Sequence, residues 1–398
     1  MSRKCVFLLD GHKNLIRPII ILNNLYYRGV IMTTKYNKVK QAVKSKIIDG
    51  TYSRHQKISS ESEMMREFGV SRHTVRQAIG DLVLKGWLYR EQGSGTFCAD
   101  RSNQEINETR SDQKKIAIVT TYISDYIFPS IIRGAEARLS EEGYQVSIYS
   151  TNNDHENERR ILENIILQKF DGVIVEPTKS AYSNPNINYY LKLERLSIPY
   201  IMINAFYDEL EPIHIAVDDE KGGFLQTNHL INMGHKKIVG FFKTDDTQGT
   251  KRMKGFLQAH RKNNISINPS HIITYKTEEK NCKPIEEIKK ILENENHSIT
   301  GLVCYNDELA IKILDVLRMG NIQVPADLSI VGYDDSFLSV VSEVKLTSIS
   351  HPKSRLGKQA AETILNLINS KEQNNFSENN IIYAPELKIR HSTKEINE

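Results

Sequence analysis

The sequence contains only four cysteines among 398 residues, and no two of them form a C-x-x-C pair. A disulfide framework or a structural zinc site needs closely or regularly spaced cysteines, so we predict neither. Isolated cysteines of this kind are typical of reduced thiols in the cytoplasm. The residues concerned are Cys5, Cys98, Cys282 and Cys304.

An export signal and a membrane-spanning run are also missing. The apolar stretch in "RPIIILNNLYY" is too short to cross a bilayer, and "SRKCVFLLDGHKN" lacks the long apolar core and small-residue cleavage site of a signal peptide. We therefore predict a cytoplasmic protein with no membrane partner. We expect residues 1–31 to be disordered or not translated, with Met32 as the alternative start.

The familiar catalytic and metal-binding motifs are absent as well. The chain has no HExxH, GxSxG or DxDxDG pattern, and its "GSGT" lacks the Lys-Ser/Thr that completes a phosphate-binding loop. The histidines are scattered. The sequence therefore favours a protein that is not an enzyme and that holds no metal ion or cofactor.

What is present divides into two dissimilar parts. Residues 32–97 hold twelve lysines and arginines against six aspartates and glutamates, a net charge of +6, whereas the whole chain carries only +4. A polar stretch, "ADRSNQEINETRSDQK", follows. A small basic unit tethered to a nearly neutral larger one indicates a head that binds a polyanion and a separate sensing body. We predict a head over 32–98, a linker over 99–114 and a body over 115–392.

The head is predicted to contain a helix-turn-helix. Ser60 and Glu63 have the spacing of a capping box, Gly69 ends the helix that follows, and Ser71 is placed to cap the next one. The residues predicted to face inward are Tyr36, Val39, Val43 and Ile47 on the first helix, which Gly50 closes, and Val75, Ile79, Leu82 and Val83 on the third.

The start of the third helix carries Arg72, His73, Thr74 and Arg76. In a helix-turn-helix this end of the second helix of the motif meets base edges in the major groove of DNA. The alternative is that these side chains form a solvated charged surface with no binding role. The next segment, "WLYREQGSGTF", reads as a hairpin with Gln92 and a glycine at its tip, where the chain could approach a sugar-phosphate backbone closely.

Residues 35–97 resemble the winged helix-turn-helix of GntR-type bacterial regulators, through "SRHTVRQAIGDLVLKGWLYREQGSGTF" above all. The resemblance implies that Arg72, Arg76 and Gly93 contact operator DNA. The resemblance implies less directly that the same DNA-contacting surface includes His73, Gln92, Lys35 and Glu61.

The body alternates short β-branched runs, such as "KIAIVTTY" and "LSIVGYDD", with amphipathic helical segments, which is typical of parallel α/β sheets. About 275 residues suffice for two lobes. Segments such as "HIAVDDEKGGFLQTNHLINMGHKKI" and "YNDELAIKILDVLRMGNIQVPADLSIVGYDDS" resemble the sugar-binding body of LacI/GalR regulators. The fold class is thus α/β, with a winged helix-turn-helix joined to a two-lobed body similar to periplasmic binding proteins.

Polar residues follow several of the predicted strands, where open α/β sheets bind ligands. Carboxylates, amides and an arginine match sugar hydroxyls, and an aromatic face stacks on C–H groups. The resemblance implies that Glu176, Arg252, Asn306 and Asp334 hold hydroxyls, with tyrosines as walls. The complete predicted effector set is Tyr122, Ser124, Asp125, Tyr126, Glu176, Asn204, Arg252, Asn306, Asp334 and His351.

Other readings of this region stay open. Asp219, Asp307 and Asp335 are interpreted as helix caps or turn formers, and Tyr122 or Tyr126 could be a core or hinge aromatic. "KGG" (221–223) is interpreted as helix packing. No lysine and arginine cluster stands among the predicted cleft residues, which argues against a phosphorylated ligand.

The two resemblances together imply a homodimeric transcriptional repressor that binds double-stranded operator DNA. They favour arabinose-utilisation genes as the target and L-arabinose as the effector that releases DNA, with the linker carrying the coupling. Another pentose, a sugar phosphate or a purine remains an alternative effector. A sugar-transport protein is the other class, against which the basic head and the absent signal peptide argue.

Overall fold

A computed structural model describes residues 35–100, 114–124, 126–293, 298–370 and 380–396. The predictions for residues 1–31, for most of the linker and for Asp125 lie outside the described residues. Contacts divide the chain into two compact units, the head and the body. In the described part, no helix has both the length and the apolar character that crossing a membrane requires.

The described part of the head is a three-helix unit followed by a hairpin. Its elements are α1 (Lys35–Ile48), α2 (Glu61–Phe68), α3 (Arg72–Leu84), β1 (Leu88–Glu91) and β2 (Gly95–Cys98). The hairpin strands pair antiparallel, with Glu91 opposite Gly95, so the tip falls at residues 92–94 as predicted. This is a winged helix-turn-helix.

The predicted capping signals shape the head. Ser60 and Glu63 form the reciprocal capping box of α2, α2 ends at Gly69, and Ser71 caps α3 by accepting a hydrogen bond from the amide of Thr74. These side chains satisfy amides that a helix leaves unpaired in its first turn. The turn between α2 and α3 is therefore set by local sequence.

The head core differs from the predicted stripes at three positions. Tyr36 is half-buried on α1, where its hydroxyl donates a hydrogen bond to Asp81. Ile48 rather than Ile47 is buried on α1, and Ala78 rather than Val83 completes the buried face of α3. Lys40 pairs with Asp81 at 2.8 Å and so ties α1 to α3. These differences rotate the buried faces of α1 and α3 about the helix axes. On α3, the small side chain of Ala78 allows a neighbouring helix to approach closely.

The first lobe of the body begins at β3 and has a fully parallel sheet in the order β13-β7-β6-β5-β3-β4. The elements reached first along the chain are β3 (Lys115–Thr120), α4 (Phe128–Glu141), β4 (Gln145–Ser150), α5 (His155–Gln168), β5 (Gly172–Val175), α6 (Ile187–Arg195), β6 (Tyr200–Ile203) and β7 (His214–Val217).

The second lobe follows directly, with the sheet order β14-β12-β11-β10-β8-β9, in which only the β12–β14 pair is antiparallel. Its elements are α7 (Asp219–Asn232), β8 (Ile238–Lys243), α8 (Thr247–Lys262), β9 (Ile272–Tyr275), α9 (Lys283–Glu293), β10 (Gly301–Val303), α10 (Asp307–Met319), β11 (Ser329–Asp334), α11 (Phe337–Val341) and β12 (Thr347–Ser350).

The chain passes between the lobes three times. It leaves the first lobe after β7, returns after β12 to form α12 (Lys353–Asn369) and β13 (Ile381–Tyr383), and crosses again to form β14 (Leu387–Lys388). Each lobe has its own apolar core. The predicted fold class, a winged helix-turn-helix with a two-lobed, parallel-sheet body, is confirmed.

Candidate functional site

The start of α3 presents three of the predicted DNA-contacting side chains to solvent. Arg72, His73 and Arg76 are exposed. Thr74 is half-buried, and its hydroxyl lies 2.9 Å from that of Ser71, so it belongs to the cap of the helix. The helix N-terminus, with its partial positive charge, and two arginines therefore occupy one exposed end.

Glu61, the first residue of α2, lies beside these arginines. Its carboxylate accepts a hydrogen bond from Nε of Arg76 at 3.0 Å and lies 4.0 Å from Nε of Arg72. All three side chains are more than a third exposed, so the pairing is screened and readily exchanged for another anion. Glu61 thus lies within ion-pair distance of both guanidinium groups on this face.

The hairpin tip is exposed and its backbone needs glycine. Gln92 and Gly93 are both exposed, and Gly93 has φ +80°, a left-handed conformation that side chains rarely adopt. The segment before α2 braces the hairpin, because Lys57 bridges to Phe97 and the amide of Ile58 donates to the carbonyl of Thr96. Lys35, the first described residue, is also exposed.

A cleft with a volume of about 120 Å³ lies between the two lobes of the body. It opens at the carboxyl ends of the parallel strands, as expected for this kind of sheet. Eight of the ten predicted effector residues line it: Tyr122, Tyr126, Glu176, Asn204, Arg252, Asn306, Asp334 and His351. Ser124 is exposed and does not line the cleft, and Asp125 lies outside the described residues.

Arg252 is the central cation of the cleft. Its guanidinium donates from Nε to Asp219 at 2.8 Å and from NH1 to the carbonyl of Tyr305 at 2.7 Å, and NH2 lies 3.5 Å from Asp334. It also lies over the ring of Tyr333, 3.5 Å from the centroid. These four contacts are made within the protein, so they orient the guanidinium fork before any ligand arrives.

The residues "KGG" make this position of Arg252 possible. A Cβ added to Gly223 would lie 2.2 Å from the backbone oxygen of Arg252, and one added to Gly222 would lie 2.0 Å from the hydroxyl of Tyr333. Only glycine lets α7 and α8 approach this closely. The prediction that this segment serves helix packing is confirmed.

Asp219 has a different role from the predicted cap. Asp218 caps α7 instead, and Asp219 pairs with Arg252 in the buried part of the cleft. Asp307 is also not a cap, because Asn306 caps α10. The carboxylate of Asp307 instead accepts hydrogen bonds from Ser336 and Ser348. Burial raises the pKa of Asp307 to about 7. Asp335 lies in a left-handed turn, as interpreted.

A chain of hydrogen bonds connects polar residues on the side of the cleft formed by the first lobe. Glu176 accepts from the amide and the hydroxyl of Thr121 and from the side-chain amide of Asn204 at 3.0 Å. The oxygen of that same amide group lies 3.1 Å from Nε2 of His351. Since the amide oxygen of Asn204 can only accept, Nε2 of His351 must carry the proton.

This tautomer leaves the other nitrogen of the His351 ring as a hydrogen-bond acceptor. Nδ1 is buried and has no partner among the described residues. Burial lowers the pKa of His351 to about 3, so the ring is neutral. A buried acceptor that lines a cleft is costly unless a donor reaches it, and a ligand hydroxyl would satisfy it.

The predicted aromatic walls differ from each other. Tyr122 is half-buried, with Phe128 tilted beside it at 6.0 Å and Lys280 5.1 Å from its ring centroid. Tyr126 adopts φ +60°, and its hydroxyl contacts the second lobe. Asn204 and Asp334 also have positive φ values, 65° and 86°. Backbone strain of this kind concentrates at functional sites, where the surrounding structure maintains it.

The cleft contains basic groups that were not among the predicted cleft residues. Three lysines line it besides Arg252, namely Lys243, Lys280 and Lys312. Two of them are neutralised, because Lys243 lies 3.0 Å from Asp246 and Lys312 lies 2.6 Å from Glu308. The lining holds four basic side chains and five carboxylates, so it has little net charge.

Gln248 was not among the residues predicted to line the cleft. It lies in the first turn of α8, lines the cleft, and has a buried Oε1 atom with no partner among the described residues. The lysines were missed because the prediction took mainly residues that follow strands, whereas Lys243 is the last residue of β8 and Lys312 lies within α10. Nowhere in the described ranges are three or more His, Cys, Asp or Glu side chains grouped as a metal site.

Comparison with known proteins agrees with both halves of this description. The family of bacterial regulatory proteins named gntR matches residues 35–98, and a periplasmic binding protein-like domain matches residues 227–393. The chain is 60% identical over 366 residues to the arabinose metabolism transcriptional repressor of Halalkalibacterium halodurans, covering 92% of this chain and 98% of that protein.

Two further comparisons extend this result. The arabinose metabolism transcriptional repressor of Geobacillus stearothermophilus is 49% identical, covering 91% of this chain and 98% of its own length. The transcription regulator CcpA of Lactococcus lactis shares the fold, with a TM-score of 0.62 at 22% identity over 71% of this chain and all of that one. The resemblances predicted from sequence are confirmed: the chain belongs to the family of bacterial transcriptional repressors in which a gntR-type winged helix is joined to a periplasmic-binding-protein-like body.

Proposed function

We propose that the protein represses genes of arabinose utilisation by binding operator DNA as a homodimer, and that L-arabinose in the cleft releases it. The observation that carries the proposal is the cleft itself, which combines an oriented arginine with buried acceptors that lack partners. We take the identity of the sugar from the names of the relatives at 60% and 49% identity, which are arabinose metabolism repressors. A DNA-binding regulator of this kind acts in the cytoplasm.

The chemistry of the cleft supports a neutral polyol. Nδ1 of His351 and Oε1 of Gln248 are acceptors, which require donors, and the hydroxyls of a sugar are donors. The guanidinium of Arg252 supplies donors for sugar oxygens. A phosphate would bring about two negative charges into a lining where carboxylates already outnumber basic groups, so its binding is disfavoured.

The exposed end of α3 supports operator recognition. Arg72 and Arg76 reach solvent from the first turns of the helix, where arginine side chains form paired hydrogen bonds with guanine in the major groove. The wing tip at Gly93 supports contact with the neighbouring backbone or minor groove. DNA phosphates compete with Glu61 for the same arginines, so binding replaces one ion pair with another.

An apolar patch on the second lobe supports the dimer. Phe337 is 75% exposed and Val341 53% exposed on α11, and Met319 at the end of α10 is 79% exposed. The two helices end close together, since Arg318 lies 3.5 Å from Glu343. Large exposed apolar side chains on neighbouring helices are typical of protein–protein contacts, and a two-fold dimer matches a two-fold operator.

Fluorescence anisotropy tests the proposal. Full-length protein is added to labelled DNA from upstream of its own gene and of neighbouring sugar operons, and L-arabinose is titrated into the complex. D-xylose, D-galactose, a sugar phosphate and a purine are the controls. We expect specific binding at moderate salt and release by L-arabinose alone.

Release by one of the controls instead would keep the repressor and reject the sugar. Tighter DNA binding with L-arabinose would reverse the proposed direction of control. Binding to no fragment more tightly than to unrelated DNA of equal length would contradict recognition of these operators.

A further inference from the structure

The two lobes are in contact across the cleft, at two places away from the chain crossings. Ser180, in the loop after β5, accepts a hydrogen bond at its Oγ from the backbone amide of Thr247 at 2.9 Å. The hydroxyl of Thr247 in turn donates to the carbonyl of Ser180 at 2.8 Å. The two hydrogen bonds join the first lobe to the first residue of α8.

The second contact has the same form. The hydroxyl of Tyr126 accepts a hydrogen bond from the backbone amide of Asp307 at 3.1 Å and donates to the carbonyl of Tyr333 at 2.9 Å. Asp307 is the first residue of α10. In both places a hydroxyl of the first lobe therefore pairs with the first amide of a helix in the second lobe.

These amides need an external partner. A helix leaves its first amides without partners inside the helix. Within the second lobe, Asp246 caps α8 at the amide of Gly249, and Asn306 caps α10 at the amide of Leu309. The caps leave the amides of Thr247 and Asp307 to the opposite lobe.

The loop that carries Ser180 is fixed firmly to its own lobe. The amide of Thr178 donates to the hydroxyl of Tyr207 at 2.7 Å, and the amide of Lys179 donates to the side chain of Asn153 at 2.8 Å. Farther along the loop, Asn184 donates to the buried carboxylate of Glu158 at 3.0 Å. A fixed loop pays little entropy when the lobes close, so its hydrogen bonds act in full on closure.

Two further contacts between the lobes lie beside Ser180. The side-chain amide of Asn153 donates to the hydroxyl of Thr277 at 2.7 Å, and Lys179 lies 3.0 Å from Glu278. Glu278 is 63% exposed, so solvent screens that ion pair. The Ser180 contact, with two hydrogen bonds that each involve a backbone atom, is therefore better defined than the Lys179–Glu278 pair.

We infer that Ser180 and Tyr126 form an inter-lobe latch, which stabilises the closed body by capping α8 and α10 from the opposite lobe. The inference rests on the proposed function for its consequence. At a given concentration, a ligand that binds the closed body closes a larger fraction of the molecules when the latch lowers the free energy of closing. The latch therefore sets how much sugar is needed to release DNA. Ser180 does so without lining the cleft.

The first test compares Ser180→Ala with Ser140→Ala in the full-length protein. Ser140 is an exposed serine of the same lobe whose hydroxyl donates to Glu136 within α4. Each variant is titrated with L-arabinose on operator DNA. One lost hydrogen bond changes the closing equilibrium by roughly three- to tenfold. We expect the half-maximal concentration to rise by that factor for Ser180→Ala only, with sugar-free operator affinity unchanged in both.

The second test needs no sugar. A double variant, Ser180→Cys with Thr247→Cys, is oxidised to join the lobes and compared with each single variant under the same oxidant. We expect the joined protein to bind operator at least tenfold more weakly without L-arabinose, and dithiothreitol to restore binding.

Tyr126→Phe, which keeps the ring, should raise the half-maximal sugar concentration as Ser180→Ala does.

The two proposals fail in different ways. If L-arabinose does not release the wild-type protein, the proposed effector is wrong, and the joined double variant still tests the latch. If L-arabinose releases the wild type but Ser180→Ala responds like Ser140→Ala, and the joined protein binds operator normally, the latch is wrong.

Discussion

Asp219 accepts a hydrogen bond from Nε of Arg252 at 2.8 Å, and both side chains are buried. Asp219 lies at the first crossing between the lobes, directly after the cap of α7. The pair therefore joins the crossing to the principal cation of the cleft. Burial of an ion pair is expensive unless its geometry is fixed, and here Tyr333 and the carbonyl of Tyr305 complete the fixed geometry.

Replacing Asp219 with asparagine should weaken the sugar response. The amide keeps an acceptor for Nε but removes the charge, so the guanidinium turns toward Asp334 and away from its set orientation. We expect the half-maximal L-arabinose concentration for operator release to rise about tenfold, which equals ~1.4 kcal/mol. Sugar-free operator affinity should stay within about twofold.

Glu220→Gln is the matched control for this change. Glu220 is the next residue of α7 and pairs with the exposed Lys254 at 2.6 Å, away from the cleft. An equal loss of response in both variants would show that the effect comes from the charge of α7 as a whole and would remove Asp219 as a positioning residue.

Replacing Arg72 with alanine should weaken operator binding by ~1–3 kcal/mol and relax sequence preference at one base pair. The reason is that arginine forms two hydrogen bonds with a guanine edge, and alanine forms none. Anisotropy on specific and scrambled operators measures both quantities. The sugar affinity, measured by calorimetry, should not change.

Arg160→Ala provides the comparison, because Arg160 is also a well-exposed arginine that pairs with a glutamate, Glu156, but lies in the body. It should leave operator binding unaltered. Identical behaviour of the Arg72 and Arg160 variants at moderate salt would return Arg72 to the class of solvated surface charges.

Sequence reasoning succeeded where a residue's role is local. The capping box of Ser60 and Glu63 and the glycine at the wing tip were predicted, because each depends on neighbours three or fewer positions away. The cleft residues that follow strands were also placed, since parallel strands end at one edge.

Sequence reasoning failed where distant segments meet. Asp219 was misread because its partner lies 33 positions away on another helix. Lys243 and Lys312 were missed for a different reason: neither residue follows a predicted strand, although their acidic partners, Asp246 and Glu308, lie only three and four positions away. The linker, the N-terminal extension, the domain limits and the roles of the site residues stay predictions.

His351 should make the body less stable in acid. Burial lowers its pKa to about 3, whereas an unfolded histidine has a pKa near 6.5. Below about pH 6.5 the unfolded chain takes up a proton that the folded ring does not, so the contribution to stability is complete above that pH and is lost as the pH falls toward 3. Asp307, with a pKa raised to about 7, acts in the opposite direction over a similar range.

Because the two groups offset each other, the wild-type curve alone does not reveal His351. Urea unfolding of the wild type and of His351→Asn at pH 8 and pH 5 separates them. We expect the wild type to lose ~2 kcal/mol more than the variant over this interval. Parallel losses in the two proteins would mean that the ring is protonated in the fold and would contradict the neutral tautomer deduced from Asn204.

Replacing Phe337 with glutamate should separate the dimer. The phenyl ring is 75% exposed on α11 beside the exposed Val341, and a carboxylate there would have to lose its water in a dimer contact. We expect the dimer dissociation constant to rise at least tenfold in analytical ultracentrifugation. Operator binding should then weaken on DNA with two half-sites, because one head at a time makes contact.

Leu196→Glu is the control for Phe337→Glu, since Leu196 is 45% exposed just after α6 in the other lobe. It should remain dimeric and bind the operator normally. The binding of Phe337→Glu to a single half-site should match the wild type, because the head is unchanged. A dimer that survives Phe337→Glu would place the interface elsewhere on the body, whereas a monomer with undiminished affinity for the full operator would show that repression does not need two heads on one dimer.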